Sequence, residues 1–246
     1  MPSFIHNAVS IHYEAAGSGT PLLLLPGNTS SSAMHEDDIS FFSTRFHVIC
    51  PDYPGYGRSD RVGELPVDFW WQNALLCIRL VESLGVSSFV CIGVSGGALV
   101  ALSVAVVARE RVTAVVADSF AGEFITPEWA DFIISGRARM THGMCDFLRT
   151  AHGDDFARVV EADSRMLARA AALGESLVKD SLSRIVCPVL ITGSLSDQLV
   201  PDVTGMCDVA RKIPSSKVVF YPDGAHPLMW SRPDDFRAEA IAFLTA

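Results

Sequence analysis

The chain has 246 residues, 49% of them hydrophobic, which fits one α/β domain with a large buried core. Its 28 Asp and Glu residues outnumber 19 Lys and Arg residues, and the resulting net charge of −9 argues against nucleic acid or an anionic membrane as a partner. The six cysteines form no Cys-x-x-Cys pair, so we expect reduced thiols. The first residues do not resemble a secretion signal, and the longest apolar run is too short to cross a bilayer. We therefore expect a cytoplasmic protein.

Short apolar runs rich in branched residues recur along the chain and predict strands. They cover residues 22–25, 47–50, 89–93, 114–117, 189–192 and 218–221. Several runs have no polar side, as parallel strands covered on both faces require. Helical periodicity predicts helices over 69–84, 96–109 and 234–244. This alternation indicates an α/β fold with a doubly covered, mostly parallel sheet, and residues 3–15 predict an antiparallel hairpin at one edge.

A glycine-rich pentapeptide, residues 93–97 (GVSGG), joins one of these strands to the helix that follows it. It places Ser95 at a sharp strand-to-helix bend, the geometry of a nucleophile elbow. A side chain at position 93 or 97 would collide with neighbouring backbone, and glycine avoids that collision. Ser95 would also lie at a helix N-terminus, where developing negative charge is favoured. The motif alone also fits an ordinary glycine-rich turn with an incidental serine.

Residues 122–183 break the alternation because they contain only helix-like segments rich in Met, Phe, Ala and Arg. Long insertions within a compact domain are usually functional lids. We therefore predict a helical cap over 122–183, inserted into a core formed by residues 1–121 and 184–246. The apolar cap residues favour a small, largely apolar substrate, whereas Arg137 and Arg139 are either solvated helix residues or candidates for binding a substrate carboxylate.

A nucleophilic serine needs a histidine as its base and a carboxylate that orients this histidine. Asp197 lies in the loop after the penultimate predicted strand, and His226 lies in the loop after the last one. Sites in open parallel sheets form beyond the carboxyl ends of the strands, so Ser95, Asp197 and His226 can converge there. Asp118, at the end of the preceding strand, is the alternative acid.

Two further loops complete a resemblance to the α/β-hydrolase superfamily that covers nearly the whole chain. Residues 52–60 (DYPGYGRSD) are similar to the family's Asp-x-x-Gly-x-Gly-x-Ser-Asp loop, and residues 25–28 (LPGN) stand where the family usually has His-Gly-x. The resemblance implies that the backbone N–H groups of Asn28 and Gly96 form an oxyanion hole. Pro26 replaces a histidine that usually braces this loop, and a further role for the Asn28 side chain stays open.

The residues and the resemblance together predict a carboxylesterase-like serine hydrolase that acts on a small-molecule ester or lactone. Ser95 would attack the carbonyl, His226 would take the proton, and Asp197 would orient the imidazole. This chemistry requires no metal and no cofactor, and the sequence has no Cys and His cluster with ligand spacing.

Several other activities fit the same three residues. C–C bond hydrolases, perhydrolases and prolyl peptidases of the superfamily use this triad, and some relatives use it to sense a ligand with little turnover. Dehalogenases and epoxide hydrolases of the superfamily use an aspartate nucleophile, which Ser95 argues against. The sequence leaves open the physiological substrate, the cap residues that line the pocket and the oligomeric state.

Overall fold

The computed structural model describes residues 2–246, which form one eight-stranded sheet. The strands are β1 (Ser3–His6), β2 (Val9–Ala16), β3 (Thr20–Leu25), β4 (Phe46–Pro51), β5 (Phe89–Val94), β6 (Val112–Asp118), β7 (Val189–Ser194) and β8 (Ser216–Tyr221). Their order across the sheet is β1-β2-β4-β3-β5-β6-β7-β8. The hairpin of β1 and β2 is antiparallel and lies at one edge, and β2 also pairs antiparallel with β4. The other six strands, β3 to β8, pair with one another in parallel. The predicted α/β fold with a mostly parallel sheet is confirmed.

Helices connect the strands. They are α1 (Glu36–Phe42), α2 (Phe69–Ser83), α3 (Gly96–Val107), α4 (Pro127–Arg137), α5 (His142–His152), α6 (Phe156–Leu173), α7 (Thr204–Lys212), α8 (Leu228–Ser231) and α9 (Pro233–Leu244), with 3-10 turns at Ser32–His35 and Leu182–Arg184. The three helices expected from periodicity correspond to α2, α3 and α9. Within residues 2–246, no helix combines the length and apolar character needed to cross a bilayer.

The sheet separates two apolar layers, because successive side chains of a strand point to opposite faces. In β3, Leu22 and Leu24 pack on the face that holds Phe42 of α1 and Phe236 of α9. Its alternate residues Leu23 and Leu25 pack on the other face, with α2 and α3. Helices on both faces leave the carboxyl ends of the parallel strands as the edge where loops can form a site.

The segment between β6 and β7 carries helices α4, α5 and α6 and no strand over residues 122–183. Helix α4 begins at Pro127, whose fixed φ suits the first helical turn, and the Thr126 hydroxyl accepts a hydrogen bond from the Trp129 N–H. Helix α6 packs against α4 and α5. The division into a core and a cap at positions 122 and 183 stays a prediction.

Candidate active site

Ser95 lies at the bend between β5 and α3, with φ 54° and ψ −124°. A positive φ is uncommon for a residue with a side chain and marks a strained position. An ideal β-carbon on Gly93 would lie 2.2 Å from the Gly97 carbonyl oxygen, and one on Gly97 would lie 2.1 Å from the carbonyl oxygen of Leu25. Both glycines are therefore required by the close approach of backbone at the bend, for the reason the sequence suggested.

Three predicted residues from three loops form a chain of hydrogen bonds. His226 Nδ1 lies 2.8 Å from Asp197 Oδ2, and His226 Nε2 lies 3.0 Å from Ser95 Oγ. An ionised carboxylate can only accept, so Nδ1 carries the proton and Nε2 is left to accept from the Ser95 hydroxyl. This tautomer is the one in which imidazole can take a proton from Ser95.

Asp197 is held by its own loop as well as by His226. Its Oδ1 accepts hydrogen bonds from the backbone N–H groups of Leu199, at 2.8 Å, and Val200, at 3.0 Å. The side chain of Gln198 accepts from the His226 backbone N–H at 3.1 Å. Asp197 is only 3% exposed, so these donors, rather than water, stabilise its charge.

Asp118, the alternative acid, contacts a different part of the histidine loop. It is fully buried and accepts hydrogen bonds from Thr192 Oγ1 at 2.7 Å and from the Met229 backbone N–H at 3.1 Å. Burial raises the pKa of Asp118 to about 6, although these hydrogen bonds and the electrostatic interaction with His226 oppose the shift. The structure thus pairs His226 with Asp197 and places Asp118 against the segment that follows His226.

Asn28 and Gly96 both lie beside Ser95. An ideal β-carbon on Gly27 would lie 3.0 Å from Ser95 Cβ, and one on Gly96 would lie 1.8 Å from Asn28 Oδ1. Gly96 is also the first residue of α3, where backbone N–H groups carry partial positive charge. The two residues expected to supply oxyanion donors are therefore next to the serine.

The side chain of Asn28 is bound on both sides. Its Nδ2 donates to Asp163 Oδ1 at 2.6 Å, and Trp70 Nε1 donates to its Oδ1 at 3.0 Å. The sequence marks neither Asp163 nor Trp70 as functional, since each belongs to a helix without a motif. Arg137 forms an ion pair with Asp163 at 2.7 Å, and Arg139 is exposed.

His152, at the end of α5, links the helical insertion to the loop that contains Asn28 and Thr29 and to the loop that contains Gly57. Its Nε2 donates to the Thr29 carbonyl at 3.0 Å, and its Nδ1 accepts from the Gly57 backbone N–H at 2.9 Å. This arrangement requires a neutral imidazole, because a protonated ring has no acceptor for the N–H of Gly57. Burial lowers the pKa of His152 below 6.5; Arg61 also lowers it, whereas the Thr29 carbonyl, Asp52 and Asp155 raise it.

A histidine whose pKa is lower in the folded chain than in the unfolded chain makes stability depend on pH. Its contribution is complete above the unfolded pKa and is lost as the pH falls below it, because the unfolded chain binds the proton first. We expect the contribution of His152 to the free energy of unfolding to be lost between pH 7 and pH 5, so that lowering the pH over this range destabilises the unmodified protein more than it destabilises His152→Gln. Urea unfolding at each pH measures both slopes, and equal slopes would contradict this assignment.

The site combines a hydroxyl, an imidazole and a carboxylate in series beside a helix N-terminus. Such a series can activate the hydroxyl as a nucleophile and stabilise a developing oxyanion. Among residues 2–246, no group of three or more His, Cys, Asp or Glu side chains is arranged to hold a metal ion.

Comparison with known proteins places this geometry in context. A sequence profile described as the alpha/beta hydrolase family matches residues 22–239. Haloalkane dehalogenase 2 of Mycobacterium tuberculosis is 35% identical over 109 residues, which cover 43% of this chain but only 37% of that relative. The human serine hydrolase BPHL is 27% identical over 251 residues, covering 97% of this chain and 84% of BPHL. The enol-lactonase from Burkholderia xenovorans LB400 superposes with a TM-score of 0.79 at 19% identity over 100% of both chains, which shows a shared fold.

Proposed function

The chain belongs to the alpha/beta hydrolase family, and from that premise we propose that it is a serine hydrolase acting on a small ester or lactone. Ser95 is the nucleophile, His226 the general base and Asp197 the acid that orients the imidazole. The observation that carries the proposal is the series of hydrogen bonds from Asp197 through His226 to Ser95.

The first half of the reaction forms an acyl-enzyme. Ser95 Oγ attacks the carbonyl carbon while His226 Nε2 takes the hydroxyl proton. The carbonyl oxygen becomes an oxyanion, which the backbone N–H groups of Asn28 and Gly96 stabilise. Losing one such donor typically raises the barrier by about 3 kcal/mol. The C–O bond to the leaving group then breaks, and His226 returns the proton to the departing oxygen.

The second half releases the acid. Water gives a proton to the neutral imidazole of His226 and attacks the acyl carbon, and the proton then passes to Ser95 Oγ as the acyl bond breaks. Asp197 stabilises the imidazolium in both halves, because its ionised Oδ2 accepts from Nδ1 throughout. The enzyme ends in its starting state without a cofactor.

An apolar acyl group is favoured by the helical insertion, which we propose acts as a cap. Five of its large apolar side chains are exposed: Phe124, Phe132, Met144, Phe147 and Leu173. A contiguous patch of exposed apolar side chains marks a binding surface, and we propose that these side chains form such a patch. The name of one similar protein, an enol-lactonase, agrees with this substrate class, and the name of another, a serine hydrolase, agrees with the proposed nucleophile.

The local likeness to a haloalkane dehalogenase does not extend the proposal to alkyl halides. A carboxylate that attacks an alkyl carbon forms an ester, which water can hydrolyse. A serine at position 95 would form an ether, which the same machinery could not cleave. Carbonyl compounds are therefore the substrates that fit this nucleophile.

A panel of p-nitrophenyl esters and simple lactones tests the substrate class. We expect steady hydrolysis that is fastest for acetate or butyrate and slower for octanoate, with measurable opening of an unsubstituted lactone. Release of p-nitrophenol and of acid reports the two classes. Binding of these compounds without turnover would favour a ligand-sensing protein and contradict the proposal.

A further inference from the structure

A buried carboxylate of the helical insertion lies against the proposed oxyanion hole. Asp163, on α6, is fully buried, and its Oδ1 accepts hydrogen bonds from Asn28 Nδ2 at 2.6 Å and from the Tyr56 hydroxyl. Arg137 of α4 pairs with its other oxygen at 2.7 Å. Asp163 therefore joins two helices of the insertion to a loop that borders Ser95.

The contacts of Asn28 fix the orientation of its amide. The indole N–H of Trp70 can only donate, so it must meet Asn28 Oδ1, and an ionised carboxylate can only accept, so Asp163 must meet Asn28 Nδ2. The amide thus has one orientation and little freedom to rotate.

Charge strengthens the Asp163 side of this contact. The Arg137 guanidinium places a positive charge 2.7 Å from the buried Asp163 carboxylate. Burial and then Asp163 raise the pKa of Tyr56, so Tyr56 stays a donor to the same carboxylate. A hydrogen bond to an ionised acceptor is stronger than one between neutral groups.

The held amide also packs on the second proposed oxyanion donor. A β-carbon on Gly96 would lie 1.8 Å from Asn28 Oδ1 and 2.9 Å from Trp70 Nε1. A shift of the Asn28 side chain would consequently disturb both proposed oxyanion donors, the backbone N–H groups of Asn28 and Gly96.

We propose that Asp163 is a positioning residue for the oxyanion hole, acting through the side chain of Asn28. This inference rests on the proposed serine hydrolase function, and it gives the helical insertion a role in catalysis besides covering the site. Asp163 itself does not touch the reacting atoms.

Asp163→Asn tests the proposal at nearly constant shape. The amide introduced at position 163 keeps one acceptor oxygen, but its NH₂ group would face either the Arg137 guanidinium or Asn28 Nδ2. The hydrogen bonding that fixes the Asn28 side chain therefore weakens. We expect kcat for p-nitrophenyl acetate to fall about tenfold to a hundredfold with KM little changed. The inhibition constant of a trifluoromethyl ketone, whose adduct places an oxyanion in the same hole, should rise by a similar factor.

Two control variants separate positioning from general damage to α6. Arg165→Gln removes an exposed ion pair of the same helix with Glu161 and should leave kcat unchanged. Tyr56→Phe removes the other hydrogen-bond donor to Asp163 Oδ1, but Asp163 keeps its contact with Asn28. We therefore expect Tyr56→Phe to lower the stability and to reduce kcat much less than Asp163→Asn does. A purely structural role for Asp163 would give Tyr56→Phe and Asp163→Asn the same kinetics.

Asn28→Ala keeps the test decisive if Asp163→Asn does not fold. It removes the held amide but leaves the backbone N–H, and it should lower kcat as Asp163→Asn does. In the double variant the two losses should not add. Wild-type kcat in Asn28→Ala, or additive losses in the double variant, would overturn the inference. Failure of the proposed function is distinguishable, because the unmodified protein would then hydrolyse no ester.

Discussion

Ser95→Ala is expected to lower kcat for p-nitrophenyl butyrate by about 10⁴- to 10⁶-fold. The variant keeps the proposed oxyanion donors and the imidazole but has no oxygen to form the acyl-enzyme. It should also relieve the crowded bend only slightly, since alanine at φ 54° still carries a β-carbon. Steady-state release of p-nitrophenol by the variant and the unmodified protein measures the loss.

Ser103→Ala is the matched control for that variant. Ser103 lies about two turns further along α3 and is fully buried, so the same change is made in the same helix away from the elbow. It should retain activity. Substantial turnover in Ser95→Ala, with Ser103→Ala unchanged, would remove Ser95 as the nucleophile.

Asp197→Asn should lower kcat by about 10⁴-fold. The amide would place an NH₂ group opposite His226 Nδ1, which favours the tautomer with the proton on Nε2. In that tautomer the imidazole cannot take the proton of Ser95. The rate loss should come with little change in KM, because Asp197 stabilises the imidazolium and does not bind the acyl group.

Asp118→Asn is the control for the acid assignment. An amide can replace a buried carboxyl whose pKa is raised to about 6 and whose partners are Thr192 and the Met229 N–H. We expect a loss in kcat smaller than about tenfold, far below that of Asp197→Asn. A larger loss in Asp118→Asn than in Asp197→Asn would reverse the choice between the two acids.

The layout of the sheet and the elbow could be predicted because local pattern determines them. Apolar runs without a polar side indicated parallel strands, and all six lie within observed strands. The glycines at 93 and 97 follow from backbone crowding, which depends on neighbours in sequence and in the adjoining strand. The ends of the strands then brought Ser95, Asp197 and His226 into reach of one another.

Side-chain direction could not be predicted at the same level. Asp118 and Asp197 both follow parallel strands, and only the structure distinguishes the one that meets His226 from the one that meets Met229. The periodicity of α6 likewise identifies a buried face but does not tell which partner a polar residue on that face will find. Asp163 meets Asn28 across 135 residues of sequence, and no local pattern encodes a contact at that distance.

Mass spectrometry of protein quenched in acid during turnover of p-nitrophenyl butyrate tests the central claim most directly. A covalent intermediate on Ser95 should add one butyryl group to the intact chain, and proteolysis should place it in the peptide that contains residues 93–97. Ser95→Ala should carry no such group. A butyryl group on another residue, or turnover without any acylated protein under conditions in which release of the acid limits the rate, would contradict a serine hydrolase with Ser95 as its nucleophile.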